Sequence, residues 1–228
     1  MSIHTALFAL TYDRAMARAE EAGLHELRRQ LIARATGEVL EIGAGTGANV
    51  ELYGPDVLSL TVTEPEAAML RRLERHVRER APHTTVLRAP AEDLPFEDDS
   101  FDTVVSSLVL CGVADQPRAL RQIGRVLRPG GQLLFLEHVR SRDPQLARTQ
   151  DRFNWFNRLV VCCECNRPTL DSIEAAGFEV GSVEHGELPK APPFARPLIH
   201  GAARWPQKVN APSPHLDATT RTRNREAP

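Results

Sequence analysis

One short run limits the fold more than any other, Glu41-Ile42-Gly43-Ala44-Gly45-Thr46-Gly47. It ends an apolar segment, Glu38 to Ile42, that reads as a strand. Its closely spaced glycines let the backbone turn sharply and pass near a ligand. A turn of this kind directly after a strand is expected to open a helix, as in nucleotide-binding α/β domains. Gly43, Gly45 and Ala48 also satisfy the dinucleotide fingerprint G-x-G-x-x-G/A, so the run alone does not decide the ligand.

The rest of the chain alternates. Leu24, Leu27, Leu31 and Ile32 recur at helical spacing, so the first 36 residues read as N-terminal helices broken by Gly37. Val57 to Thr63 is a β-branched strand, and Glu66 to Arg80 is a helix with Met69, Leu70, Leu73 and Val77 on one side. Thr84 to Arg88 is a third strand, and Phe101 to Leu110 contains a fourth. Asp115 caps a helix with Pro117 in its first turn and Ala119, Leu120, Ile123, Val126 and Leu127 as its core stripe. Arg128-Pro129-Gly130-Gly131 reads as a turn before a fifth strand, Gln132 to Val139. Alternating strands and helices predict an α/β fold with a parallel sheet and right-handed crossovers.

The rhythm then breaks. Ser141 to Arg167 has no clean period and reads as an inserted lid or helix pair. Thr169 to Ala176 is a helix ended by Gly177, and Phe178 to Glu184 and Leu198 to Arg204 are two closing strands. We expect one domain over residues 1–206, with an N-terminal cap (1–36) and an insert (140–167). A tail at 207–228, without aromatics and rich in Thr, Arg, Asn and Pro, is expected to be disordered.

The 28 basic and 30 acidic residues leave a net charge of −2, which argues against a nucleic-acid binder. The first residues lack a basic segment and a cleavage site, and no apolar run reaches 18 residues, so neither a signal peptide nor a spanning helix is expected. The default location is the cytoplasm. Three of the four cysteines crowd at Cys162, Cys163 and Cys165, which suits a reducing compartment. Their Cys-Cys-x-Cys run lacks the paired C-x₂-C spacing of zinc sites, so no metal is expected and they read as buried small apolar residues or pocket liners.

Three features narrow the ligand of the glycine run. Glu41 would repel a pyrophosphate but suits a cationic amino group. Glu64, 23 residues later at the end of the second strand, can accept both ribose hydroxyls of an adenosine. Ala91-Glu92-Asp93-Leu94-Pro95-Phe96 offers an acid and apolar contacts after the third strand. With Ser100-Phe101-Asp102 and Arg125-Val126-Leu127-Arg128-Pro129-Gly130-Gly131, these residues resemble the class I S-adenosylmethionine-dependent methyltransferases from about Glu38 to Val139. They also look like the type 11 methyltransferases of ubiquinone and menaquinone biosynthesis.

The resemblance implies a Rossmann-like fold. Its central sheet would be seven-stranded and mostly parallel, with helices on both faces, N-terminal helices and a lid inserted before the last strands. It implies S-adenosyl-L-methionine as cofactor and S-adenosyl-L-homocysteine as product. Glu41 would then hold the methionine ammonium, directly or through water, and Gly43, Gly45, Gly47 and Asn49 would border the methionine moiety. Glu64 would take the ribose hydroxyls, and Pro65 or Ala67 the adenine edge. Ala91, Glu92 and Asp93 would meet the adenine, and Ser107, Leu108 and Val109 would lie beside the sulfonium.

A narrower resemblance rests on Ser107-Leu108-Val109-Leu110-Cys111, Leu136-Glu137-His138-Val139 and Arg196-Pro197-Leu198-Ile199-His200-Gly201. Gly45-Thr46-Gly47-Ala48-Asn49 followed by Tyr53 and an insert with Trp155 and Cys165 extend it. These segments are similar to the membrane-anchored alkyl-thiol S-methyltransferases. Two departures stand out. No counterpart of that group's hydrophobic N-terminal anchor is expected, and its Cys-Leu-Thr-Arg run is replaced by Cys165-Asn166-Arg167-Pro168.

A small, apolar thiol is therefore the leading acceptor, with C- or O-methylation of a quinone-like or phenolic intermediate as the alternative. A thiol with a pKa near 8.5 is already a few per cent thiolate at neutral pH, whereas a phenol needs more help. His138 is the first candidate for base or acceptor-orienting group and His200 the second. Tyr12, Cys111, Trp155 and Cys165 are candidates for the acceptor pocket, the aromatic cluster around Trp155 forming its wall. A nicotinamide oxidoreductase is disfavoured by Glu41 and by Glu92-Asp93-Leu94-Pro95-Phe96.

Overall fold

The computed structural model describes residues 16–161 and 163–207. A π-helical turn, Glu20–Leu24, kinks at Gly23 (φ 131°) and leads into α1, His25–Ile32. Leu24, Leu31 and Ile32 are buried, as their spacing predicts, and so is Arg28.

The strands are β1 (Gly37–Ile42), β2 (Val57–Thr63), β3 (Thr85–Leu87), β4 (Phe101–Ser107), β5 (Leu127–His138), β6 (Glu179–Glu187) and β7 (Pro197–Arg204). They form one seven-stranded sheet in the order β3-β2-β1-β4-β5-β7-β6. The first five are parallel to their neighbours, and β7 lies antiparallel between β5 and β6. The helices α2 (Ala67–Arg80), α3 (Gln116–Val126), α4 (Pro144–Val161) and α5 (Thr169–Ala175) complete the fold.

Helices cover both faces of the sheet. On one, Leu40, Ile42, Val104, Leu133 and Phe135 pack with Ala119, Leu120 and Ile123 of α3 and Ile173 of α5. On the other, Val39, Val62, Val105, Leu134 and Leu136 pack with Leu31 and Ile32 of α1 and Leu73 and Val77 of α2. Strands buried on both sides are apolar almost throughout, which is why β4 reads as a continuous run. The strand order reverses direction between β1 and β4. Ligands of open α/β sheets bind at the carboxyl edge of such a switch point.

Three expectations are corrected. The glycine loop opens no helix; residues 45–52 form successive turns, with Gly47 N–H donating to Ala44 O (2.9 Å), Val50 to Gly47 (3.2 Å) and Leu52 to Asn49 (2.9 Å). The positive φ of Gly47 (96°) and the two side chains drawn inward from this stretch, Asn49 and Tyr53, favour turns over a helix. Arg128 to Gly131 is part of β5 and makes no reversing turn. Gly130 N–H bonds Trp205 O (3.0 Å) and Trp205 N–H bonds Gly131 O (2.8 Å), so the segment pairs with the end of β7. The insert contributes one long helix, α4, and no helix pair.

Candidate active site

β1 carries Glu41 to the switch point, where only 2% of its surface is exposed. Its carboxylate accepts from Asn49 Nδ2 (2.8 Å) and from the Tyr53 hydroxyl (2.7 Å). Burial pushes the Glu41 carboxyl above the ordinary carboxylate range, opposed by those two donors and by the charge of Arg28. Burial and the adjacent carboxylate push Tyr53 well up, so it keeps its proton and donates.

Arg28 was not anticipated. From α1 its Nη1 donates to Ser107 Oγ at the end of β4 (2.7 Å) and to Asn49 Oδ1 (3.3 Å), and its Nε to Glu20 Oε1 (3.0 Å). It ties the N-terminal cap to both sides of the switch point. The signal for it was there: Leu24, Arg28 and Leu31 share one helical stripe, and a charge on an apolar stripe asks for a buried partner.

Gly43 (φ 58°), Gly45 (φ 61°) and Gly47 (φ 96°) all adopt the left-handed region. A Cβ at Gly43 would lie 2.8 Å from both methyls of Val109, whereas one at Gly45 would meet nothing within 4 Å. Gly45 thus leaves open space, where a ligand can approach the backbone closely. Glu64, at the end of β2, accepts from Gly45 N–H (2.9 Å) and Glu66 N–H (2.9 Å). Burial raises its carboxyl pKa in spite of these amides.

Beyond β4 the backbone is bent around one acid. Leu108 adopts φ 61°, a costly conformation for a side chain with a Cβ. Its N–H is fixed to Leu136 O (2.7 Å). Glu137, wholly buried in β5, accepts through Oε1 from Ser106 Oγ (2.6 Å), Val109 N–H (3.1 Å) and Leu110 N–H (3.1 Å), and through Oε2 from Cys111 N–H (3.2 Å). The strained turn is therefore clamped by four donors to one carboxylate. Next in the strand, His138 Nδ1 lies 3.7 Å from Cys111 Sγ and 3.4 Å from Cys163 Sγ. All three side chains are buried. The Cys163 thiol and burial push Cys111 well up, so its thiol is neutral.

The stretch that carries the glycine loop, both acids and the turn after β4 is similar to known proteins. Residues 40–135 match a family described as "Methyltransferase domain". Human thiol S-methyltransferase TMT1A is 33% identical over 178 residues, which span 72% of this chain and 69% of that protein. The chain belongs to the class I S-adenosylmethionine-dependent methyltransferases. The ubiquinone/menaquinone biosynthesis C-methyltransferase UbiE of Hahella chejuensis is 33% identical over 144 residues, 58% of this chain and 57% of that one. Among solved structures, a SAM-dependent methyltransferase of Thermotoga maritima, described as a possible histamine N-methyltransferase, superposes with a TM-score of 0.63 at 25% identity. It covers 89% of this chain and 98% of its own. The cofactor is S-adenosylmethionine.

Several candidate residues of this methyltransferase lie elsewhere than expected. One oxygen of Glu92 is committed to Ala114 N–H (2.8 Å) and Asp115 N–H (3.3 Å), ahead of α3. Asp93 is exposed, Ala91 is buried, and Pro65 O accepts from Arg88 Nε (3.0 Å). His200 is turned toward Glu184 on β6 (3.7 Å) and does not join the His138 cluster. Trp155 is 67% exposed on α4, and that helix buries its opposite side, Ala147, Gln150 and Asn157. Cys165 is wholly buried, and its Sγ accepts from Asn157 Nδ2 (3.0 Å). Tyr12 and Cys162 lie outside the described residues. No helix among the described residues is long and apolar enough to cross a membrane.

Proposed function

We propose that this methyltransferase transfers a methyl group to the thiol sulfur of a small apolar molecule. Bound S-adenosylmethionine supplies a methyl group on a positively charged sulfur, which a nucleophile displaces in line. Gly43, Gly45 and Gly47 would border its methionine portion, Glu64 its ribose hydroxyls, and the turn from Ser107 to Val109 its sulfonium end. Glu41, engaged by Asn49 and Tyr53, retains lone pairs for an ammonium or a bridging water.

The observation that carries the thiol reading is the make-up of the edge beyond β4 and β5. Its buried carboxylate, Glu137, is committed to four donors, and the imidazole of His138 faces two thiols. Such an edge offers position and apolar surroundings more than proton abstraction. A thiol needs little more, since a few per cent is already ionised at neutral pH. Alignment of nucleophile and methyl with exclusion of water supplies several kcal/mol, on the order of 7–11 in the best intramolecular cases. The similarity to a protein named thiol S-methyltransferase supports the same acceptor.

The second reading, C- or O-methylation of a quinone-like or phenolic molecule, is favoured by the similarity to UbiE. A phenol, with a pKa of about 10, would ask His138 to act as base. The test is a set of reactions with labelled S-adenosylmethionine and an alkyl thiol, a phenol, a quinol and an amine. Transfer to the thiol alone is expected; transfer to the phenol or quinol with none to the thiol overturns the assignment.

A further inference from the structure

Cys111, His138 and Cys163 come from three separate parts of the chain: the turn after β4, the end of β5 and the segment after α4. Their ligand atoms lie within 4.8 Å of one another. A tetrahedral zinc ion with Zn–S near 2.3 Å and Zn–N near 2.0–2.1 Å places sulfur and nitrogen ligands about 3.5–3.6 Å apart. The separations of His138 Nδ1 from the two sulfurs, 3.4 and 3.7 Å, bracket that value.

Hydrogen bonding alone serves this cluster poorly. Nδ1 can accept one S–H at most, so the second thiol is left with only the weak acceptor sulfur of the first. His138 Nε2 is buried and has no hydrogen-bond partner among the described residues. A cation on Nδ1 and the two sulfurs would satisfy all three ligand atoms at once, and two thiolates with an imidazole select a soft or borderline ion. Glu137, the neighbouring acid, has both oxygens engaged by Ser106 and the turn amides. Among the described residues the protein therefore supplies three ligands where a tetrahedral ion takes four.

We propose that Cys111, His138 and Cys163 bind a zinc-class ion whose fourth position is open to a thiol. The use of that position by the acceptor rests on the thiol reading above. A thiol coordinated there loses its proton to solvent. Its sulfur lone pair then forms the new S–CH₃ bond. The bond between methyl and sulfonium sulfur breaks with its electron pair, and that sulfur becomes a neutral thioether. Spacing within Cys162-Cys163-x-Cys165 did not reveal the site because only one of its ligands belongs to that run.

The test uses the full chain, reduced with a phosphine so that no added thiol competes, stripped of metal and titrated with Zn²⁺ and Co²⁺. One ion per chain is expected, and the cobalt form should show thiolate-to-cobalt charge-transfer absorption. Cys111→Ser and Cys163→Ser should lose that absorption, and Cys165→Ser should keep it. An alkyl thiol should shift the bands of the cobalt protein, and stripping the metal should slow thiol methylation at neutral pH by about tenfold or more, given the few per cent of free thiolate.

Folded, reduced wild-type protein that takes up no ion overturns the site, as does binding that survives in Cys111→Ser and Cys163→Ser. A Cys111–Cys163 disulfide in protein purified without reductant and inert to metal also overturns it. Metal-free protein that methylates the thiol at full rate overturns the open-position role. Bands that shift with thiol while no thiol is methylated uphold the site and retire the acceptor assignment instead.

Discussion

The carboxyl edge of the sheet and the lid helix α4 both bury polar groups, but of different kinds. The edge buries charge: Glu41, Glu64 and Glu137 sit at or near the ends of β1, β2 and β5, each with side-chain or amide donors, and Arg28 reaches in from α1. The lid helix buries neutral amides. Gln150 Nε2 donates to Val139 O (3.0 Å) and Cys165 O (2.8 Å), and Asn157 Nδ2 to Cys163 O (3.0 Å) and Cys165 Sγ (3.0 Å). Phe153, Trp155 and Phe156 of the same helix stay exposed. Orphaned carbonyls and thiols beneath a helix can thus outweigh apolar area in deciding which face turns inward. The amides also hold the segment that carries Cys163 against the edge.

If buried charge is the stronger constraint, its removal should cost more than removal of the amides. Glu137→Ala leaves Ser106 and three backbone amides without their acceptor, and the turn at Leu108 without its clamp. We expect a loss of about 3–5 kcal/mol, read by denaturant unfolding, with activity lost as well. Glu137→Gln keeps an acceptor oxygen and should lose less. Equal, small losses would show that the turn holds itself.

The glycines sharpen the edge side. Gly43→Ala adds left-handed strain of about 1–2 kcal/mol and a 2.8 Å approach to Val109, so melting temperature and cofactor affinity should both fall. Gly45→Ala adds strain but meets nothing within 4 Å. Its melting temperature should fall by only about 2–6 °C, while cofactor affinity, measured calorimetrically, drops at least about tenfold. Unchanged affinity in Gly45→Ala would remove the open side of that loop from the ligand site.

On the lid, the pair Asn157→Leu and Trp155→Ala decides the matter. Asn157→Leu strips a donor from Cys163 O and Cys165 Sγ and should cost about 1–3 kcal/mol. Trp155→Ala, at an exposed position, should stay within about 0.5 kcal/mol and leave the acceptor KM unchanged. The reverse order would mean that the aromatic face is the working one.

The same contrast explains what was legible in the sequence. Glycines in a tight turn, strands buried on both faces and the Asp115 cap are local consequences of residue type, and the alternation of strand and helix from β1 to β5 followed from them. Arg28, Glu137 and the Cys111–His138–Cys163 cluster were not read, because each depends on a partner tens of residues away that no period announces. Trp155 was misplaced for a related reason. Hydrophobic periodicity ranks faces by apolar content and takes no account of carbonyls waiting at 139, 163 and 165.

The smallest expected effect is on pH dependence, where the two regions should slope oppositely. Burial holds Glu41, Glu64 and Glu137 above the ordinary value of 4.5. Between that value and their raised ones the folded chain binds more protons than the unfolded chain, so their contribution to stability falls as pH rises. Asp151, on α4, is held at about 2 by hydrogen bonds from Arg140 and Asn166. Its folded form binds fewer protons, so its contribution is complete above 3.8 and fades as pH falls toward 2. In melts from pH 3 to 7, Glu64→Gln should therefore flatten the decline toward neutral pH and leave the acid limb alone. Asp151→Asn should soften only the acid limb, and weakly, since the pair with Arg140 is solvent-exposed. An Asp151→Asn protein whose slope changes above pH 5 would mean that the lid, too, is held by buried charge.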